Sequence, residues 1–130
     1  FAEKFVELPA ARVQAGGERG GEIDENPVGL DREELPHARQ ALEAGGELIG
    51  VNRRNLESLA MEPDVLERLL PAIPATCVAI AESGIRLRAD VAAVATLGVD
   101  AVLVGGALST SAGASDAVRA LTGYPRTGRG

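Results

Sequence analysis

Cys77-Val78-Ala79-Ile80-Ala81-Glu82-Ser83-Gly84 and, one helical pattern later, Ala101-Val102-Leu103-Val104-Gly105-Gly106 are the segments on which the fold turns. Each is apolar at successive positions rather than alternating, and each ends in polar residues or glycine. Between them Val91, Val94 and Leu97 recur at helical spacing as an inner face that stops at Gly98. Short runs with no polar side are strands buried on both faces, and strands separated by helices run parallel. The pattern extends outward. Leu48-Ile49-Gly50-Val51 runs into Asn52-Arg53-Arg54-Asn55, and Val65, Leu66, Leu69 and Leu70 mark a helix opened by Pro63 in its first turn and closed before Pro71. Earlier, Leu35, Ala38, Ala41 and Leu42 place a helix between Asp31 and Ala44 with Gly45 as its stop; later, Ala117, Val118 and Leu121 form a last helix before Gly123. Helices and strands therefore alternate through an α/β chain, with parallel strands and helices on the outside. Such folds bind ligands at the carboxyl ends of their strands, where three polar or glycine-rich turns fall side by side here.

The rest of the chain is less regular. Residues 1–29 read as a poorly ordered or irregular lead. Four glycines, at 16, 17, 20 and 21, lie among charges between Gln14 and Pro27, and Ile23 is the only large apolar side chain there. Phe1, Phe5, Val6 and Leu8 suffice for one or two helical turns before Pro9. Residues 124–130 read as a flexible tail, which leaves 30–123 as the folded unit. At 130 residues, 19 acidic groups against 13 basic ones give a net charge of -6, which excludes a nucleic-acid partner. No apolar run approaches the ~20 residues of a membrane span, and the charged start lacks the apolar core of a secretory signal. The lone Cys77, inside an apolar run, reads as a buried reduced thiol and excludes a disulfide framework. A soluble, cytoplasmic protein without a cofactor is expected. Twelve arginines accompany a single lysine, Lys4, so chemistry that needs an ammonium group has only that donor.

Two glycine turns after consecutive parallel strands, Gly84 and Gly105-Gly106, let backbone N–H groups approach a phosphate, with a short helix beginning near Ala107 adding its positive end. Glycine that merely relieves crowding at tight turns is the competing explanation. Glu82, Ser83, Asn52 and Arg54 are the polar side chains these turns can present. Glu82 suits a catalytic base or a hydroxyl anchor, or else a helix cap or a partner for Arg86 or Arg88; Arg54 is a planar fork that matches a carboxylate or a phosphate. Arg53 and Asn55 read as solvated loop residues, and His37 as a surface histidine. Asp24, Glu25 and Asn26 match no metal-loop spacing, so no metal is expected.

Gly50-Val51-Asn52-Arg53-Arg54-Asn55-Leu56, Ala81-Glu82-Ser83-Gly84-Ile85 and Gly98-Val99-Asp100-Ala101-Val102-Leu103-Val104-Gly105 together resemble the sixth, seventh and eighth strand regions of the indole-3-glycerol phosphate synthase family, and Ala41-Leu42-Glu43-Ala44-Gly45 resembles the end of its fifth helix. The resemblance spans about Asp31 to Leu121. It implies a partial (β/α)8 TIM barrel, with parallel strands five or six to eight and outer helices, in which 30–123 is a half barrel. A complete barrel usually takes ~250 residues. The implied activity is that of a tryptophan-pathway lyase closing the indole ring of carboxyphenylamino-deoxyribulose phosphate with loss of carbon dioxide and water. The implied catalytic residues are Glu82, Asn52 and Arg54, and the implied substrate and phosphate contacts are Ser83, Gly84, Gly105 and Gly106. The family's essential lysines, from its first and third strands, have no counterpart. Its fifth-strand glutamate is missing from Asn26-Pro27-Val28-Gly29-Leu30, where that strand is expected. The alternative is a non-catalytic truncated paralogue, or a half barrel that binds a phosphorylated ligand. Either a second copy or a missing amino-terminal half barrel is the expected macromolecular partner.

Overall fold

The structure is a computed structural model and describes residues 40–43, 45–55, 58–110 and 112–129, together with the backbone of Phe5–Leu8. Lys4, His37, the acidic group 24–26, the segment 26–30 and most of the helix expected over 31–44 lie outside the described residues.

Four parallel strands form one sheet in sequential order: β1 (Phe5–Leu8), β2 (Leu48–Asn52), β3 (Val78–Glu82) and β4 (Ala101–Leu103). Between and after them come α1 (Val65–Leu69), which tightens into a 3-10 turn at Leu70–Ala72, then α2 (Arg88–Thr96), the short α3 (Gly106–Ser109) and α4 (Ala114–Leu121). Residues 40–43 are helical and end in a Schellman turn: Gly46 N donates to Ala41 O, Gly45 N donates to Leu42 O, and Gly45 takes φ +75°. Pro63 stands one residue before the cap of α1, Asp64, rather than inside its first turn.

The first strand corrects the expectation of helical turns before Pro9. Phe5–Leu8 pairs in parallel with β2, Glu7 opposite Gly50. A glutamate-bearing strand, Phe5–Leu8, therefore sits beside β2.

Alternation along the strands sorts the sheet into two faces. Ile49, Val51, Ala79 and Ala81 are wholly buried and join Val65, Leu66, Leu69, Val91 and Val94 of α1 and α2 in one apolar core. The opposite face carries Gly50, Asn52, Ile80, Glu82, Ala101 and Leu103, and it loses cover toward β4, where Ala101 and Leu103 are exposed. Helix faces follow the expected spacing except at two margins: Leu97 and Val118 are exposed.

The tail also departs from expectation, because residues 124–129 are pinned to the amino ends of the strands. The Arg129 guanidinium, 11% exposed, donates to Asp100 Oδ2 (2.8 Å), Gly98 O (3.0 Å), Cys77 O (2.7 Å) and Pro74 O (3.2 Å). Asp100 also accepts from Arg126 at 2.9 Å and from the Ala79 amide at 2.9 Å, which ties the entries of β3 and β4 together. Thr127 Oγ1 donates to Ala95 O, and Arg88 lies over the Tyr124 ring while donating to Ala120 O and Thr122 O at the end of α4. Removing one partner of a buried charge pair strands the other. Arg129→Ala should therefore lose about 2–3 kcal/mol in urea denaturation, whereas Arg119→Ala, whose partner Asp116 is exposed, should lose under about 0.5 kcal/mol.

Candidate functional site

At the carboxyl ends of the strands, register places Asn52 directly opposite Glu82, and both are buried, at 6% and 5% exposure. Asn52 Oδ1 accepts from its own turn, Arg54 N at 2.9 Å, and from Ser83 Oγ at 2.9 Å across the strand boundary. That second bond holds Ser83 in a left-handed conformation, φ +68°, which a residue with a Cβ rarely adopts. Gly84 follows at φ +71°, and a Cβ there would lie 2.5 Å from Met61 Cε. Glycine at 84 is thus favoured by conformation, while the crowding comes from the flexible end of Met61, which can give way. At Gly105 and Gly106 crowding does not explain the residue, since an added Cβ would meet nothing within 4 Å. These two glycines leave the backbone bare where β4 turns into α3.

Arg54, Glu82, Ser83, Gly84, Gly105 and Gly106 all line one open cleft of about 780 Å³. The structure thus brings six of the seven singled-out residues to one surface, and the seventh, Asn52, supports it from behind through Ser83. Met61, Arg86, Leu103 and Thr110 also line the cleft. Thr110 follows Gly106 by one helical turn and donates its hydroxyl to Gly106 O at 2.9 Å. Met61 arrives through a folded loop in which Arg54 and Met61 form an antiparallel bridge, Asn55 N donates to Ala60 O, Leu59 N to Asn55 O and Glu62 N to Arg53 O. No spacing rule marks Met61, because the loop that delivers it is closed by backbone bonds.

Two loop readings are corrected here. Asn55 is a bracing residue of that loop: its Nδ2 donates to Glu62 Oε1 at 3.0 Å and its Oδ1 accepts from Ser58 N. Arg53 is only partly solvated: the side chain is half-buried, and its Nε and Nη1 are buried without a hydrogen-bond partner. Arg54 Nη1 donates to Leu59 O at 2.8 Å, which steadies the guanidinium at the cleft wall. Of the roles open to Glu82, capping falls instead to Asp90: its Oδ2 accepts from Leu87 N (2.8 Å) and Arg86 N (2.9 Å) at the start of α2. Those two amide bonds, Leu87's foremost, hold the Asp90 carboxyl below its ordinary 3.8, with the Arg86 and Arg53 charges adding to the effect. Among the described residues no cluster of three or more His, Cys, Asp or Glu side chains could hold a metal ion, and no helix is long and apolar enough to cross a membrane.

Comparison with known proteins gives the family. The family model for indole-3-glycerol phosphate synthase matches residues 30–121. The chain belongs to this family. Among curated indole-3-glycerol phosphate synthases, that of Dehalococcoides mccartyi strain CBDB1 is 49% identical over 71 residues, which is 55% of this chain and 27% of the relative. That of Mycobacterium sp. strain KMS is 50% identical over 74 residues (57% and 27%), and that of Mycolicibacterium gilvum strain PYR-GCK is 48% identical over 81 residues (62% and 30%). The match thus spans under a third of the length of these synthases. β2, β3 and β4, which fall within the matched residues 30–121, and their helices are accordingly part of a TIM barrel.

Two outcomes test this geometry. Asn52→Ala leaves Ser83 Oγ and Arg54 N without their acceptor and should cost about 1–3 kcal/mol in denaturant unfolding; adding Ser83→Ala should cost less than its single effect, since the two share one bond. Because the Asp90 pKa is depressed in the folded state, its contribution is complete above 3.8 and lost as pH falls through the lower, folded value. Asp90→Asn should therefore be less stable than the unaltered chain at pH 6, with the gap narrowing below pH 3.8, as followed by thermal melts.

Proposed function

We propose that this chain supplies the phosphate-binding and substrate-anchoring part of an indole-3-glycerol phosphate synthase. The substrate of that reaction is carboxyphenylamino-deoxyribulose phosphate, and the reaction closes its indole ring with loss of carbon dioxide and water. One observation carries this reading: a single cleft lined by Glu82, Ser83 and Gly84 from one strand end, Gly105 and Gly106 from the next, and Arg54 from the loop after a third. Bare backbone at the two glycine turns suits phosphate oxygens, which accept several N–H bonds at once. Arg54 faces the substrate carboxylate, Asn52 sets Ser83 against the substrate, and Glu82, in an almost wholly buried position, takes part in proton transfer at the ring carbon. Glu7 stands in the strand next to β2, level with Gly50, and takes the part of the fifth-strand glutamate.

Ring closure also calls for a general acid, worth typically ~10²–10⁴-fold, and the only ammonium group in these 130 residues is Lys4. The acid comes from complementary strands in an amino-terminal half barrel, since a second copy would bring only another Lys4. Such strands would cover Ala101 and Leu103 on the open face and pair with the sides of β1 and β4 that no other described strand occupies. The same observation favours a second reading, a half barrel that binds a phosphorylated ligand without turnover. A small phosphorylated substrate and a lone Cys77 thiol accord with a cytoplasmic setting.

An assay for indole-3-glycerol phosphate formation, run on this chain alone and with a supplied amino-terminal half, separates these readings. The first predicts turnover only in the mixture, abolished by Glu82→Gln. The second predicts none in either arm, with phosphate-ester binding that Gly105→Asp removes. Absence of both turnover and binding would overturn the cleft as a phosphate site.

A further inference from the structure

The Arg53 side chain is half-buried, and two of its three guanidinium nitrogens have no task in the site described above. Its backbone prolongs the β2 ladder, N donating to Glu82 O at 3.0 Å and O accepting from Glu62 N at 2.7 Å. Its side chain ends against the Ser83-Gly84 turn, with Nη1 3.7 Å from the point a Cβ of Gly84 would occupy. Nε and Nη1 are both shut off from solvent, and neither has a hydrogen-bond partner. Donors shut off from water with no acceptor are unfavourable in a fold. Asp90 lies within electrostatic reach, but the bonds to its Oδ2 come from the amides of Arg86 and Leu87. An orphaned donor of this kind is a reason to look for an absent acceptor.

Met61 reaches the same point beside Gly84 and, unlike Arg53, lines the cleft. Its Cε and Sδ lie 2.5 and 3.6 Å from the same missing-Cβ point, so the thioether fills the gap that glycine leaves while Arg53 backs it. The Met61 side chain is unbranched and soft, lines the cleft and is 37% exposed, so it can swing outward without disturbing the core. We propose that Arg53 is a second cation of the phosphate site, covered by Met61 in the empty protein and uncovered when a phosphate group seats on the Ser83-Gly84 turn. The inference rests on the reading of the cleft as a phosphate site and adds a binding residue to it. The phosphate oxygen supplies the missing acceptor, so binding relieves the orphaned donors at the expense of one methionine rotamer.

Inorganic phosphate, titrated by calorimetry and by the amide resonances of Ser83 and Gly84, is the probe. Arg53→Gln should weaken binding about tenfold or more, as expected for a lost charge-assisted bond. Met61→Ala should tighten it, and should fail to tighten it when Arg53→Gln is also present. Arg53→Met supplies a readout that a structural role would not give. In phosphate-free buffer its melting temperature should equal or exceed that of the unaltered chain, because the unpartnered donors have gone, whereas a bracing arginine would lower it. Phosphate binding that is unchanged in Arg53→Gln, or not tightened by Met61→Ala, overturns the inference and leaves the phosphate site standing. Absence of phosphate binding both in the unaltered chain and in Met61→Ala overturns the site and the inference together.

Discussion

The register that sets Asn52 against Glu82 is the constraint on which the rest depends. It is fixed from the other face of the sheet, where Ile49, Val51, Ala79 and Ala81 must meet α1 and α2. A slip of one residue would send those four into the open and drive Asn52 and Glu82 into the apolar core. Burial on one face thus specifies polar placement on the other. The Asn52 to Ser83 hydrogen bond follows from that placement, and with it the two left-handed residues that bend the backbone into the cleft. A conformation unfavourable at Ser83 in isolation is held because the neighbouring strand presents its acceptor at the right height.

Much of the fold was legible because it is local. Continuous apolar runs, helical spacing and glycine stops placed β2, β3, β4, α1, α2 and α4 within a residue or two. Phe5–Leu8 was not legible: a run of four apolar and polar residues before a proline fits a helical turn as well as a strand, and only pairing with Leu48–Val51, far along the chain, decides it. The tail misled for a related reason. A polar segment with two arginines and two glycines has the composition of a flexible end, yet Arg129 finds Asp100 and three carbonyls that no local pattern connects to it.

The candidate site divides along the same line. Residues at strand ends announce themselves by where the apolar run stops, and the structure gathers Glu82, Ser83, Gly84, Gly105 and Gly106 as that rule anticipates. The loop after β2 obeys no such rule. In Asn52-Arg53-Arg54-Asn55 the polar character is uniform, but alternation sends Arg54 to the cleft wall and Arg53 beneath the Gly84 turn. Composition could not separate the two arginines; strand parity carried one position past the end of β2 could have, had the loop been taken as a continuation of the ladder. The Arg53 N to Glu82 O bond is the sign that it is one.

The two ends of the strands therefore do different work. At the amino ends, Asp100 collects Arg126, Arg129 and the Ala79 amide, which ties the strand entries to the tail. At the carboxyl ends, glycine removes side chains where backbone must stay accessible, and a strained serine and an arginine with two buried nitrogens lacking acceptors persist beside them. Parallel strands make this separation possible, since every strand enters at one end and leaves at the other. Strain and exposed polar groups are tolerated at the exit because entry and core supply the stability, and they are tolerated longest at the exit where a ligand would satisfy them.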